Sequence, residues 1–201
     1  MAAARRGVSA ARRTLAGAVL AGGRSRRMGR DKARLRVDGE LLWRRQVRVL
    51  REAGAERVLV ARAAAQRVLE RDVRHVRDAV TGAGPLAGLQ AALRATEARW
   101  VAVVAVDMPA VDAAWWRRLW ADCKDGCGAV ARHAAGYEPL AAIYPREALG
   151  EIERRLAGGR GSLQELVAAL VRRRRMKVWR LPKKELWRVA NWNRPADRAT
   201  R

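Results

Sequence analysis

Ala18-Val19-Leu20-Ala21-Gly22-Gly23-Arg24-Ser25-Arg26-Arg27-Met28-Gly29-Arg30-Asp31-Lys32 is the stretch on which the reading of this 201-residue chain turns. Residues 18–21 are an apolar run that predicts a strand, and the strand opens into a loop. There Gly22 and Gly23 let the backbone turn and come close to a ligand with no Cβ in the way. Arg24, Arg26, Arg27, Arg30 and Lys32 then supply positive charge. Successive backbone N–H groups form an anion-binding concavity, arginine adds a planar fork and lysine a compact point charge, a combination suited to a triphosphate. The spacing is neither G-x-x-x-x-G-K-[ST] nor G-x-G-x-x-G, so neither kinase nor dehydrogenase chemistry is indicated.

Outward from the loop, strand patterns alternate with helical ones. Residues 35–39 carry a turn signal, and residues 41–53 set Trp43, Val47 and Leu50 on one helical face with arginines opposite. Residues 56–61 read as a buried strand, 66–71 as a short helix, and 73–76 as a weaker strand ended by Asp78. Pro85, with a fixed φ that suits a first helical turn, starts a helix through Leu86, Leu89, Ala92 and Leu93. The free N–H groups at its mouth offer a second anion contact.

Residues 100–106, WVAVVAV, form a continuous apolar run of the kind found in central parallel strands, and Asp107 stands at its carboxyl end. Trp115 with Leu119, and Trp116 with Trp120, are i,i+4 pairs expected in a core rather than as a base-stacking platform. Strands at 128–132 and 139–144 follow. A helix marked by Leu149, Ile152 and Leu156 is closed by Gly158-Gly159, and the capping box of Ser162 and Glu165 starts another. A strand candidate at 176–181 completes the pattern. Such alternation predicts a layered α/β domain. In open α/β sheets ligands bind beyond the carboxyl ends of the strands, so the glycine loop and Asp107 are expected to meet in one crevice.

The chain has 43 Lys and Arg against 20 Asp and Glu, a net charge of +23, which points to an anionic partner. All but five of the cations are arginine, and eight Trp stand against no Phe, a compositional bias that still leaves the acid deficit unexplained. From Arg172 onward 12 cations face two acids. Residues 1–14, with Arg5, Arg6, Arg12 and Arg13, read as a flexible basic tail ahead of a single domain at 15–201. No apolar run approaches the roughly 18 residues of a transmembrane helix, and no secretory apolar core opens the chain, so a cytoplasmic location without a membrane partner is expected. Cys123 and Cys127 read as reduced thiols rather than a metal site, and His75 and His133 as structural or exposed.

The run L-A-G-G-R-S-R-R-M-G-R-D-K resembles the N-terminal signature of the molybdenum cofactor guanylyltransferases. Gly84-Pro85-Leu86-Ala87-Gly88-Leu89 resembles the second motif of that family and Val106-Asp107-Met108-Pro109 its metal-binding segment. Asn191-Trp192-Asn193-Arg194-Pro195-Ala196-Asp197 resembles its closing segment, with Arg194 where threonine is usual. These stand in the family's order and span about Leu15 to Asp197. The resemblance implies a three-layer, Rossmann-like nucleotidyltransferase fold of the nucleotide-diphospho-sugar transferase type, with a mostly parallel sheet and an antiparallel addition.

The same resemblance implies transfer of GMP from GTP to the terminal phosphate of Mo-molybdopterin, with pyrophosphate released and Mg²⁺ as cofactor. Proteins that deliver molybdopterin or accept the product are implied as further partners. On this reading the backbone of Leu20, Ala21, Gly22 and Gly23 holds the nucleotide, Arg27 and Lys32 meet its phosphates, and Asp78 holds the nucleoside. Asp107 binds Mg²⁺, and Asn191 and Asn193 bind the pterin. Asp78 reads equally as a turn former. In-line attack of one phosphate on the α-phosphorus of another asks for positioning and charge neutralisation, not for a protein nucleophile.

One departure stands out. The family usually places an Asn just after the second strand to help hold the nucleoside, whereas Val60-Ala61-Arg62-Ala63-Ala64 has none, which weakens the preference for guanine and leaves Arg62 as a candidate substitute. GPLAGL favours guanylyl transfer over the alternatives in the same class, a CTP:molybdopterin cytidylyltransferase or a sugar-phosphate nucleotidyltransferase. A basic nucleic-acid-binding protein is the rival from another class. It rests on charge and tryptophan content alone, with no known nucleic-acid motif beside them.

Overall fold

The computed structural model of the chain describes residues 13–21, 36–62, 73–77, 84–159 and 161–192. β1 (Leu15–Leu20) is its axis, buried at every residue and paired in parallel with β4 (Arg57–Arg62) on one side and β6 (Trp100–Ala105) on the other. Strands covered on both faces need apolar side chains at every position, and LAGAVL and WVAVVA supply them. β5 (Arg74–Arg77) continues the parallel set beyond β4. Beyond β6 lies β9 (Ala141–Pro145), antiparallel to β6 and to β7 (Gly128–His133), and β10 (Met176–Arg180) runs parallel to β7 at the edge.

The order is therefore β10-β7-β9-β6-β1-β4-β5, with the two-residue β8 (Gly136–Tyr137) attached to β7. The expected antiparallel addition is β9, inserted between strands that otherwise run the same way. β8 is too short for periodicity to reveal it. The strand read from the apolar run at 100–106 ends one residue earlier than expected: Ala105 closes β6, and Val106 and Asp107 already turn.

Helices cover both faces. α1 (Leu42–Glu52) and α3 (Ala113–Asp122) share one core with Val19, Val58, Val60, Ala102 and Val104. α2 (Pro85–Arg94), α4 (Leu149–Ala157) and α5 (Leu163–Arg172) share the other with Ala18, Leu59, Ala61, Val101 and Val103. Adjacent strand residues thus feed opposite cores, which makes the domain three-layered.

Local chemistry explains the element ends. A hairpin joins β2 (Arg36–Val37) to β3 (Glu40–Leu41) through Asp38 and Gly39, both at positive φ, the Asp-Gly turn that suits a tight hairpin. α2 starts with Pro85 in its first turn after Gly84, whose φ of 66° is left-handed. Asp112 caps α3 by accepting from the Trp115 N–H at 2.8 Å. Ser162 caps α5 by accepting from the Glu165 N–H, while the Glu165 carboxylate pairs with Arg155. Trp115 and Trp116 are fully buried, as core tryptophans should be, and the Trp115 indole N–H donates to the Ala141 carbonyl.

The expected helix at 66–71 lies outside the described residues. Arg13 and Thr14, assigned to the tail from the sequence, make contacts with the folded body. The Arg13 guanidinium sits 4.4 Å from the centre of the Trp120 ring and donates to the Trp120 and Cys123 carbonyls, and the Thr14 hydroxyl accepts from the Arg99 N–H.

Candidate active site

The strand order reverses at β1. The chain builds outward from β1 to β4 and β5, then returns to place β6 on the opposite side of β1. The crevice beyond the carboxyl ends at such a reversal is the ligand site of open α/β sheets. Leu20 lies opposite Ala61 of β4 and Ala105 of β6. The Ala21 N–H donates to the Ala61 carbonyl at 2.8 Å, and the Leu20 carbonyl accepts from the Val106 N–H at 3.2 Å. The chain entering Gly22 and the chain entering Asp107 therefore leave the sheet side by side.

The Asp107 loop is fastened from three directions. Within it, the Met108 N–H donates to the Ala105 carbonyl. From α1, Gln46 Nε2 donates to the Met108 carbonyl at 2.6 Å and Arg45 Nε to the Pro109 carbonyl at 3.0 Å. From the C-terminal segment, the Trp192 N–H donates to the Asp107 carbonyl at 2.8 Å. Asp112, at the far end of the loop, pairs with Arg188 at 2.7 Å. Asp107 itself is only 7% exposed. A carboxylate on a loop held this way keeps its position when charge arrives, which is what preorganisation requires.

Of the candidate residues, Leu20, Ala21, Asp107 and Asn191 are described. The first three meet at the β1 and β6 exits, and Asn191 is exposed one residue before Trp192, whose N–H reaches Asp107. Gly22, Gly23, Arg27, Lys32, Asp78 and Asn193 lie outside the described residues. Gln46 and Arg45 are anchors that the sequence reading passes over. A signal for Gln46 exists, since it is a polar side chain inside the apolar stripe of Leu42, Trp43, Val47 and Leu50, and it is fully buried. Arg62 ends β4 beside Ala21 and is 4% exposed.

Mg²⁺ takes one or two carboxylates and completes its octahedron with waters and substrate phosphates. Asp107, a single carboxylate on a fastened loop beside the end of β1, fits that donor set. Among the described residues no group of three or more His, Cys, Asp and Glu gathers to hold a metal by itself. Cys123 is buried, and burial pushes its thiol up to about 12; burial also raises Cys127, and both thiols are free. His133 is bonded to Glu138, whose carboxyl is raised by burial against the opposing pull of the histidine. No helix among the described residues is long and apolar enough to cross a membrane.

A family model described as a MobA-like NTP transferase domain matches residues 17–175. A probable molybdenum cofactor guanylyltransferase of Opitutus terrae is 63% identical over 194 residues, covering 95% of this chain and 96% of its own length. A protein of the same description from Pelotomaculum thermopropionicum is 39% identical over 140 residues, covering 70% of this chain and 68% of its own. Among solved structures, molybdopterin-guanine dinucleotide biosynthesis protein A of Archaeoglobus fulgidus superposes with a TM-score of 0.72 at 25% identity, covering 91% of this chain and 94% of that one. With helices on both faces of a sheet whose strand order reverses at β1, and the Asp107 loop beside the end of β1, the chain belongs to the MobA-like NTP transferase family.

Proposed function

We propose that the chain is a molybdenum cofactor guanylyltransferase, transferring GMP from GTP to the terminal phosphate of Mo-molybdopterin in the cytoplasm. The observation that carries this reading is the shared exit of β1 and β6. It sets Ala21, just before Gly22, beside the turn that carries Asp107, with the C-terminal segment hydrogen-bonded to the Asp107 carbonyl.

A terminal phosphate oxygen of molybdopterin attacks the α-phosphorus of GTP in line. The bond from that phosphorus to the bridging oxygen breaks, and pyrophosphate leaves. Both substrates are polyanions, so bringing them head-on is the main electrostatic obstacle, and a net charge of +23 lowers it. The Leu20–Gly23 backbone cradles the nucleotide, and Arg27 and Lys32 neutralise its phosphates. Asp78 holds the nucleoside, and Asn191 and Asn193 orient the pterin. Asp107 would hold Mg²⁺, which when bound supplies Lewis-acid stabilisation of the phosphate charge.

Proteins that hand over molybdopterin or take up the product belong to the same reading as partners. The test is pyrophosphate release from purified protein given molybdopterin and each of the four NTPs in turn. GTP is expected to be consumed well above CTP, ATP and UTP. Equal or better use of CTP would overturn the guanylyl assignment, and turnover of none would overturn the transferase.

A further inference from the structure

Arg62 closes β4 at the carboxyl edge of the sheet, one residue past the Leu20–Ala61 pair and beside the Ala21 N–H that bonds the Ala61 carbonyl. By strand alternation it shares the side of Val58 and Val60, toward α1. It is 96% buried in the sense that only 4% is exposed, and its Nε is buried with no hydrogen-bond partner. Its register partner on β5 is Arg77, a second cation rather than a counter-ion. A guanidinium N–H withdrawn from water without a partner is unfavourable, and buried polar groups in folded proteins are paired or hold a ligand. The place is built for something that brings acceptors.

Position decides which acceptors. Asp107 follows β6 and Arg62 ends β4, with β1 between them, so at a strand spacing of about 4.8 Å the two exits lie about 10 Å apart. On the function proposed above, on which this inference rests, Asp107 at the exit of β6 holds the metal that meets the phosphates. A nucleotide laid across the strand ends from there brings its base to β4. Guanine offers O6 and N7 as adjacent acceptors, which an arginine fork meets with two parallel hydrogen bonds; on the corresponding edge cytosine presents only the N4 amino donor, which gives the fork no acceptor. We infer that Arg62 reads the O6/N7 edge of the bound guanine and thereby contributes to the choice of GTP over CTP.

The test is titration calorimetry of the full chain with GTP, 7-deaza-GTP and CTP, each with Mg²⁺, for the wild type, Arg62→Met and Arg62→Lys, with thermal unfolding run alongside. The wild type should bind GTP about tenfold more tightly than 7-deaza-GTP, which lacks only the N7 acceptor. Both variants should lose that difference, with GTP weakened and CTP unchanged; the lysine variant keeps the charge and loses the fork. A wild type that binds GTP and 7-deaza-GTP equally overturns the inference without recourse to any variant. So does an equal loss for all three nucleotides in the variants, which would make Arg62 a phosphate contact, and so does no loss at all, which would make it structural. A wild type that binds none of the nucleotides would strike the proposed function instead.

Discussion

The Trp192 N–H donates to the carbonyl of Asp107 at 2.8 Å, so the C-terminal segment is fastened to the loop that carries the crevice carboxylate. Asn191, exposed and one residue away, is thereby held near the mouth of the crevice. Asn191→Ala is expected to raise the KM for molybdopterin about tenfold, the loss of one or two polar contacts, and to leave the KM for GTP unchanged. Steady-state kinetics with each substrate varied in turn checks this. An equal rise for both would mean that the segment supports the whole crevice rather than the pterin.

Asp112 performs two tasks, capping α3 through the Trp115 N–H and pairing with Arg188 of the C-terminal segment. Asp112→Ala removes both and should lower unfolding free energy by about 1–2 kcal/mol. Asp112→Asn keeps a capping oxygen and loses the charge, so it should fall closer to the wild type. Urea unfolding of the two variants separates the tasks. Equal destabilisation would place the whole effect in the ion pair.

Glu151 is buried on α4 among Arg154, Arg155 and Arg173. Burial opposes its ionisation, yet Arg154, the Arg155 hydrogen bond and Arg173 together hold the carboxyl below its ordinary value. A carboxyl with a lowered folded pKa adds stability that is present in full above its unfolded pKa and lost as pH falls through the folded one. Glu151→Gln should therefore destabilise the protein by about 1–2 kcal/mol at neutral pH, with the gap to wild type closing in acid. Unfolding curves across that pH range check the sign; a gap constant with pH would contradict it.

Lys32, outside the described residues, is assigned to the triphosphate on the proposed function. Lys32→Ala should lower kcat/KM for GTP about 100-fold with the unfolding transition unchanged. Unchanged rates at both limiting and saturating GTP would make it a surface lysine.

The framework of the crevice is legible in the sequence because burial on both faces forces an uninterrupted apolar run, and LAGAVL and WVAVVA are such runs. α1 and α2 are legible for related reasons, one from an apolar stripe and the other from Pro85 after a glycine. What holds Asp107 in place is much less so. The bonds from Gln46, Arg45 and Trp192 all end on backbone carbonyls, and a carbonyl has no sequence signature. Gln46 carries a faint one as a polar residue in an apolar stripe; Trp192 carries none beyond its place in the Asn-Trp-Asn motif. The docking of Arg13 on Trp120 is equally hidden, since a run of arginines reads the same in a solvated tail and on an aromatic face.

The central claim is that Asp107, at the exit of β6 beside the start of the glycine loop, holds the magnesium needed for transfer. Asp107→Asn preserves the shape of the side chain and the backbone bond from Trp192 while removing the charge. The decisive measurement is the transfer rate of this variant across a magnesium titration, with GTP binding followed in parallel. The account predicts transfer lost by at least about 1000-fold at every magnesium concentration, with GTP binding only modestly weaker. Turnover at the wild-type rate across the titration would contradict it, leaving Asp107 a structural residue and the metal held elsewhere.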